Sequence, residues 1–315
     1  MQKRAAYCDL LESGQFAERV ALARERLRRC QVCPRHCAVD RLEGEFGICQ
    51  VGAQPFVASY APHFGEEQPL RGRNGSGTIF FGSCNLRCVY CQNYEISHLK
   101  EGKEFPPSQL AEAMLSLQEQ GCHNVNLVTP SHQVPQILEG LLLAAEQGLS
   151  IPIVYNTSSY DDLDTLKLLD GIVDIYLPDF KYSDADVALR YSKIESYPDI
   201  AKTAFREMHR QVGDLTLDAQ GIAVRGLLVR HLVLPGGLAG TAEIMKFLAE
   251  EISIDTYVNV MSQYRPCYRA FRYPPLDRRI TEEEYEDAIK LAQDNGLHRL
   301  HSEKPGSAIA WMAEL

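Results

Sequence analysis

Ten cysteines stand at positions 8, 30, 33, 37, 49, 84, 88, 91, 122 and 267, and seven of them fall into two tight groups. Thiols two or three residues apart in a loop aim their sulfurs at a common point, which suits a metal or an iron–sulfur cluster better than disulfides in a reducing cytosol. Two inorganic sites are expected. Cys84, Cys88 and Cys91 form C-x3-C-x2-C, with no further Cys or His at ligand spacing directly behind them. Three thiolates leave one coordination position open, as in a centre that binds substrate, whereas structural zinc is normally closed by four ligands. An iron–sulfur cube held by three cysteines offers its remaining iron to a small molecule. The competing reading is a zinc loop completed by a distant residue such as Cys122. Cys30, Cys33, Cys37 and Cys49 supply four thiolates from a segment too small for its own core, a closed set that fits either tetrahedral zinc or a second 4Fe–4S cluster. A structural role and an electron relay are both open for it. The isolated Cys8, Cys122 and Cys267 read as small packed apolar residues.

The elements that must position these groups follow from the chain as a whole. Its 315 residues fit one large domain, or a domain with a small appendage, at about 150 residues per domain. With 45% apolar and 23% charged residues and no apolar run of about eighteen, a membrane-spanning helix is excluded. A formal charge of −10 argues against a dedicated nucleic-acid binder. The opening Met1-Gln2-Lys3-Arg4 begins a charged helical stretch and not the apolar core of a signal peptide, so a cytoplasmic protein is expected.

Residues 1 to about 29 are expected to form one amphipathic helix ending in an arginine-rich, solvated face, and residues 30 to 77 a loop-rich region tied by its cysteines. This divides the chain into a Cys-rich metal-binding region at 1–77 and a larger domain at 78–315. From residue 78 short β-branched runs alternate with segments of helical period, the signature of βα units. Strands are predicted at Thr78 to Phe81, Val125 to Val128, Ile151 to Tyr155, Ile172 to Leu177, Leu227 to Leu234 and Tyr257 to Met261. Helices are predicted at Ser108 to Gln120, Pro135 to Gln147, Asp161 to Asp170, Ile200 to Val212 and Thr241 to Glu251, with a last one opened by a capping box at Thr281. Leu215 to Arg225 reads as a β-hairpin inserted before the fifth strand. Six parallel strands allow a doubly wound sheet or an incomplete barrel, and in both the functional loops gather at the strands' C-terminal ends.

The stretch Cys84 to Asn93, with the aromatic Tyr90 before its last cysteine, resembles the cluster motif of the radical S-adenosylmethionine superfamily, and its C-x3-C-x2-C-Q-N form resembles the pyruvate formate-lyase activating enzyme branch. The resemblance implies an α/β fold, a partial (β/α)6 TIM-like barrel with a small Cys-rich N-terminal region. It implies a 4Fe–4S cluster on Cys84, Cys88 and Cys91 and S-adenosylmethionine chelated at the open iron. One electron then breaks the bond to the 5′ carbon, and the resulting 5′-deoxyadenosyl radical abstracts hydrogen from a substrate, a protein or peptide such as a glycyl radical enzyme. A flavodoxin or ferredoxin is the implied electron donor. Tyr90 is carried over as a cofactor contact. Where the family has a Gly-Gly-Glu-like motif, this chain reads Val128-Thr129-Pro130-Ser131-His132, which leaves Thr129 and Ser131 as candidates for the cofactor amine. Asn156 matches the ribose-side turn, and Asp179 and Lys181 match an Asp-x-Lys at the end of the fourth strand. Arg230, on the fifth strand, could hold the cofactor carboxylate by a bidentate bond, while His231 is expected to be a satisfied core residue. Gln263 and Tyr264 are candidates for substrate contact by position alone. The extra cysteines that the better-known activases carry after the radical motif have no counterpart in residues 92–121. Two rivals stay open: a radical enzyme acting on a small metabolite, and a non-catalytic iron or zinc scaffold.

Overall fold

The computed structural model describes residues 4–302. The predicted single N-terminal helix is two, α1 (Tyr7–Glu12) and α2 (Gln15–Glu25), because Gly14 adopts a left-handed φ of 76° between them; residues 1–3 lie outside the described residues. Arg24 and Arg26 are not merely solvated, since they pair with Glu139 and with Asp162 (2.6 Å) on the main body. A long irregular stretch through the first cysteine group leads to β1 (Phe56–His63), α3 (Gln68–Arg71) and β2 (Ser76–Phe81). After the second cysteine group come α4 (Tyr94–Ser97), β3 (Lys103–Glu104), α5 (Pro107–Glu119), β4 (Val125–Val128), α6 (Val134–Glu146), β5 (Ile153–Thr157), α7 (Leu163–Leu168) and β6 (Ile175–Pro178). The chain continues through α8 (Ala185–Ser192), α9 (Tyr197–Val212), β7 (Thr216–Leu217), β8 (Ala223–Leu232), α10 (Thr241–Phe247), β9 (Tyr257–Met261), α11 (Glu282–Asp294) and β10 (Leu300–Ser302).

One sheet runs in the order β10-β9-β8-β6-β5-β4-β2-β1-β3. From β2 to β10 every neighbouring pair is parallel. Over these parallel strands the order follows the chain without reversing, whereas a doubly wound sheet turns back at a switch point; the architecture is therefore the partial barrel. β1 lies antiparallel to β2, and β3 to β1, so the sheet is continuous across residues 77 and 78. β1 escapes the sequence reading because Pro62, which cannot donate to a ladder, reads as a breaker; near the end of a strand at the sheet's margin it is tolerated. The expected hairpin is present as β7 paired with the start of β8, but its second arm is the fifth parallel strand itself. The chain crosses from one pairing to the other at Gly226 (φ 124°), where a Cβ would lie 2.4 Å from the Asp214 carbonyl oxygen.

Apolar packing occurs in two places. The larger cluster lies between the sheet and its helices. A small one fills the barrel interior with Val154, Ile175, Leu177 and Leu228, joined by Leu70 of α3. The capping box at Thr281 and Glu284 starts α11 as the spacing predicts. No helix among the described residues is long and apolar enough to cross a membrane.

His231 is fully buried between the Phe180 carbonyl (3.0 Å from Nδ1) and the Thr241 hydroxyl (2.9 Å from Nε2). Burial disfavours the imidazolium and lowers its pKa from 6.5 to about 4. The unfolded chain then takes up the proton first as pH falls. Stability from this group is complete above about pH 6.5 and is withdrawn towards pH 4, by about 3 kcal/mol. Urea unfolding at pH 7 and pH 4.5 should show a smaller acid loss in His231→Gln than in the parent; equal losses would remove His231 as the source.

Candidate functional site

The loop that follows β2 carries Cys84, Cys88 and Cys91 at the C-terminal edge of the barrel, and two of its non-glycine residues, Ser83 (φ 66°) and Arg87 (φ 61°), hold left-handed backbone. Thr129 (φ 62°) and Ser159 (φ 63°), after β4 and β5, do the same. Such strain persists only where surroundings fix it. Here the Ser83 amide donates to the Ile96 carbonyl (2.8 Å), Val89 to Tyr191 (2.9 Å), and the Asn85 side chain to the Tyr160 carbonyl (2.9 Å).

Each thiol has a hydrogen-bonding neighbour. The Leu86 amide donates to Cys84 Sγ (3.3 Å), and Ser192 Oγ, itself 2.9 Å from the Tyr182 hydroxyl, donates to Cys88 Sγ (3.1 Å). Cys91 Sγ and Ser97 Oγ lie 3.2 Å apart. Burial pushes the Cys91 thiol up to about 12 and raises Cys84 as well. Cys84 and Cys91 are thus neutral when free, and their thiolates form when a metal displaces the protons. Among the described residues no three Cys, His, Asp or Glu side chains converge on one metal-ion position. A cube gives each thiolate its own iron, so three thiols spread along one strained, buried loop with hydrogen bonds to sulfur fit a 4Fe–4S cluster.

The loop opens into a cavity of about 1620 Å³. Cys84, Cys88, Tyr90, Cys91, Thr129, Asn156, Asp179, Lys181 and Arg230 all line it. Tyr90 sits edge-on to Tyr182 and Tyr264, at 6.2 and 5.9 Å. Asp179 and Lys181 meet as an ion pair at 2.7 Å, with side chains 22% and 19% exposed. Burial, the largest single influence, would lower the Lys181 pKa, but Asp179 together with the surrounding Tyr90, Cys88 and Tyr197 outweighs it, and the ammonium is held well above its usual range. The Tyr197 hydroxyl lies 3.0 Å from the Ser158 carbonyl and accepts the Lys181 amide (2.9 Å), pinning this turn.

Two expectations change. Ser131 does not line the cavity: it is buried with Oγ 2.9 Å from Thr157 Oγ1, which donates to Asp161 (2.5 Å), as does the Tyr155 hydroxyl (2.8 Å). It supports a polar network between loops and is not placed as a cofactor contact. Arg230 does line the cavity, but its fork is already occupied. Nε and Nη2 donate to the two oxygens of Glu67, both at 2.7 Å, and Nη2 also reaches Glu66. Asn259 of β9 donates to Glu67 as well (2.7 Å). Burial would raise the Glu67 carboxyl, yet the guanidinium lowers it to about 2. Glu66, Glu67, Asn259, Ser97, Ser192 and Tyr197 are the site's residues that sequence reasoning missed. Only Ser192 had a local signal: Asp184 caps α8 by accepting from the Val187 amide (2.8 Å).

The first cysteine group lies directly against this loop. Ser83 Oγ donates to the Cys49 carbonyl, Arg35 Nε to the Asn85 carbonyl (2.9 Å), and Arg87 to the Ile48 carbonyl (3.4 Å).

Residues 78–217 match the family model described as the Radical SAM superfamily. Two uncharacterized proteins of Methanocaldococcus jannaschii are similar over most of the chain. One is 33% identical, covering 90% of this chain and 80% of its own length. The other is 25% identical, covering 85% and 79%. Among solved structures, a domain of a pyruvate-formate lyase-activating enzyme from Bacteroides vulgatus is similar at 15% identity and a TM-score of 0.36, covering 62% of this chain and 91% of that one. HydG, a maturase of the FeFe hydrogenase, is similar at 12% identity and a TM-score of 0.49, covering 70% and 48%.

Glu67→Ala leaves Arg230 deep in the cavity with Glu66 alone, and breaking a buried ion pair costs about 3–5 kcal/mol. Urea unfolding should show a loss of that order, and Glu67→Ala/Arg230→Ala should lose less than the sum of the single variants. Additive losses would mean that the pair is not coupled.

Proposed function

The chain belongs to the radical S-adenosylmethionine superfamily, and we propose that it abstracts hydrogen from a protein or peptide segment, the kind of substrate that a glycyl radical enzyme presents. A 4Fe–4S cluster on Cys84, Cys88 and Cys91 supplies, when bound, the single electron for reductive cleavage of S-adenosylmethionine to the 5′-deoxyadenosyl radical.

The observation that carries the choice of substrate is the shape of the cavity. At about 1620 Å³ it exceeds the roughly 300–1000 Å³ of an ordinary small-molecule site, with the cluster and S-adenosylmethionine taking part of that space, and it is the open side that bears on the substrate. It extends from the cluster loop along the side where the sheet does not close, with Phe64 and Phe80 on the β1–β2 side and Met261 and His301 on the β9–β10 side. Its lining includes the exposed Phe64, Gln92, Asn93, Gln263, Arg265 and Arg279. A mouth open to solvent over this length suits an extended polypeptide better than an enclosed metabolite.

The chain's own residues bind and orient. Lys181, kept charged by Asp179, offers a cation to the carboxylate of the cofactor's amino-acid part, and Asp179 offers an anion to its amine. Thr129 stands at the next strand end for the same amine, and Asn156 faces the ribose side. Arg230 takes no part in carboxylate binding, because Glu67 already fills its fork. Tyr90, packed between Tyr182 and Tyr264, walls the cluster loop from water, and exclusion of water protects a radical from side reactions. A one-electron donor of the flavodoxin or ferredoxin class completes the reading.

Anaerobically reconstituted protein given dithionite and S-adenosylmethionine should form 5′-deoxyadenosine, and Cys88→Ala should form none. Lys181→Met should weaken cofactor binding about ten- to a hundredfold, the worth of one charge-assisted hydrogen bond. Product from the parent that rises with a glycine-containing peptide, and not with small metabolites, would support the substrate class. No product with the cluster demonstrably reduced would overturn the catalytic reading.

A further inference from the structure

Arg41 is 1% exposed, and its guanidinium meets two backbone carbonyls and a cysteine sulfur. Nε and Nη2 donate to the Gly52 carbonyl (3.3 and 3.0 Å), Nη1 donates to the His132 carbonyl (2.9 Å), and Nη1 lies 3.9 Å from Cys30 Sγ. No carboxylate among the described residues forms an ion pair with it. A group that cannot lose its proton is very costly to bury against carbonyl dipoles alone, and buried charges are as a rule paired or bound at metal centres. An anion is needed beside it.

The chain supplies one only through its thiols. Cys30, Cys33 and Cys49 are buried and Cys37 is half-buried. Four thiolates outnumber the positive charge of a zinc ion or of a cube core, so a centre ligated by all four is anionic in either case. We propose that Cys30, Cys33, Cys37 and Cys49 hold a second 4Fe–4S cluster and that Arg41 is its fixed counter-charge. The choice of a cube over zinc rests on position: the group lies directly against the loop of Cys84, Cys88 and Cys91, through Ser83 to the Cys49 carbonyl and Arg35 to the Asn85 carbonyl (2.9 Å), where a redox-active centre can exchange electrons with that loop and zinc, which has no redox chemistry, cannot. The surroundings are built closely on the ligands. The Ile48 amide donates to Cys37 Sγ (3.5 Å), and a Cβ on Gly47 would stand 2.8 Å from the same sulfur. This inference does not depend on radical chemistry at the other loop.

Iron, sulfide and zinc counted after anaerobic reconstitution should give roughly eight irons per chain in the parent, and roughly four in both C30A/C33A and C84A/C88A/C91A. Roughly four irons with one zinc in the parent would overturn the cube. Four irons, no zinc, and Cys30 and Cys33 open to alkylation would overturn the site altogether. Arg41 is tested in the C84A/C88A/C91A background, where the N-terminal cluster alone is read by a redox titration followed by electron paramagnetic resonance. Reduction adds negative charge, so Arg41→Met should lower the midpoint potential while Arg41→Lys holds it near the parent value. Equal potentials in both, or an equal fall in both, would remove the counter-charge role. Should Arg41→Met not fold, the metal counts and the Arg41→Lys potential still decide the site.

Discussion

The bidentate pair between Arg230 and Glu67 joins parts of the molecule that the backbone does not. The sheet ends at β10 on one side and at β3 on the other, so no ladder closes the barrel. Glu67 follows β1 at one margin, and Arg230 and Asn259 lie on β8 and β9 towards the other. Their contact takes the place of a closing strand pair through side chains, and Leu70 just beyond seals the apolar interior beneath it. A buried ion pair is weak evidence for stability when compared with an apolar substitute, but it has only one satisfied geometry. What it contributes is definition: a polar floor of known position under a cavity that remains open along its side.

Above that floor the chemistry depends on loops held away from relaxed conformations. Ser83, Arg87, Thr129 and Ser159 all take left-handed backbone at successive strand ends, and neighbouring carbonyls, hydroxyls and amides hold them there. The hydrogen bonds reaching Cys84, Cys88 and Cys91 come from three separate sources: the loop's own amide, α8 and α4. Hydrogen bonding to cluster sulfurs is one of the means by which a protein sets reduction potential. Two of these sources belong to the loop and the helix just after it, and the third, Ser192 of α8, lies 104 residues from its sulfur in sequence.

That separation explains what was legible. Three ligands within eight residues form a local pattern, as do the βα rhythm, the glycine stops and the Thr281 capping box, so the cluster loop and the barrel were readable from sequence. His231 was also read correctly as a satisfied core residue. The pairing of Arg230 with Glu67 was not legible because the two lie 163 residues apart and Glu67 stands in a loop without periodicity. The burial of Ser131 beside Thr157 was not legible either, because strand-end hydroxyls serve turns, networks and ligands alike, and only packing shows which. β1 was hidden by Pro62, and with it the continuity of the sheet across residue 77. The break in the first helix at Gly14 was visible in the sequence but was outweighed by the apolar periodicity on either side.

The order of the strands has a bearing on how the molecule comes to be made. All seven grouped cysteines lie between residues 30 and 91, ahead of β4, and each later parallel strand from β4 pairs with the one already laid down. Domains emerge from the ribosome N-terminus first, and contacts that close long loops form late. A nascent chain thus contains all seven grouped thiols before the strands that complete the wall around them are made. The contact of Arg230 with Glu67 can form only once β8, well after these thiols in the chain, has been made.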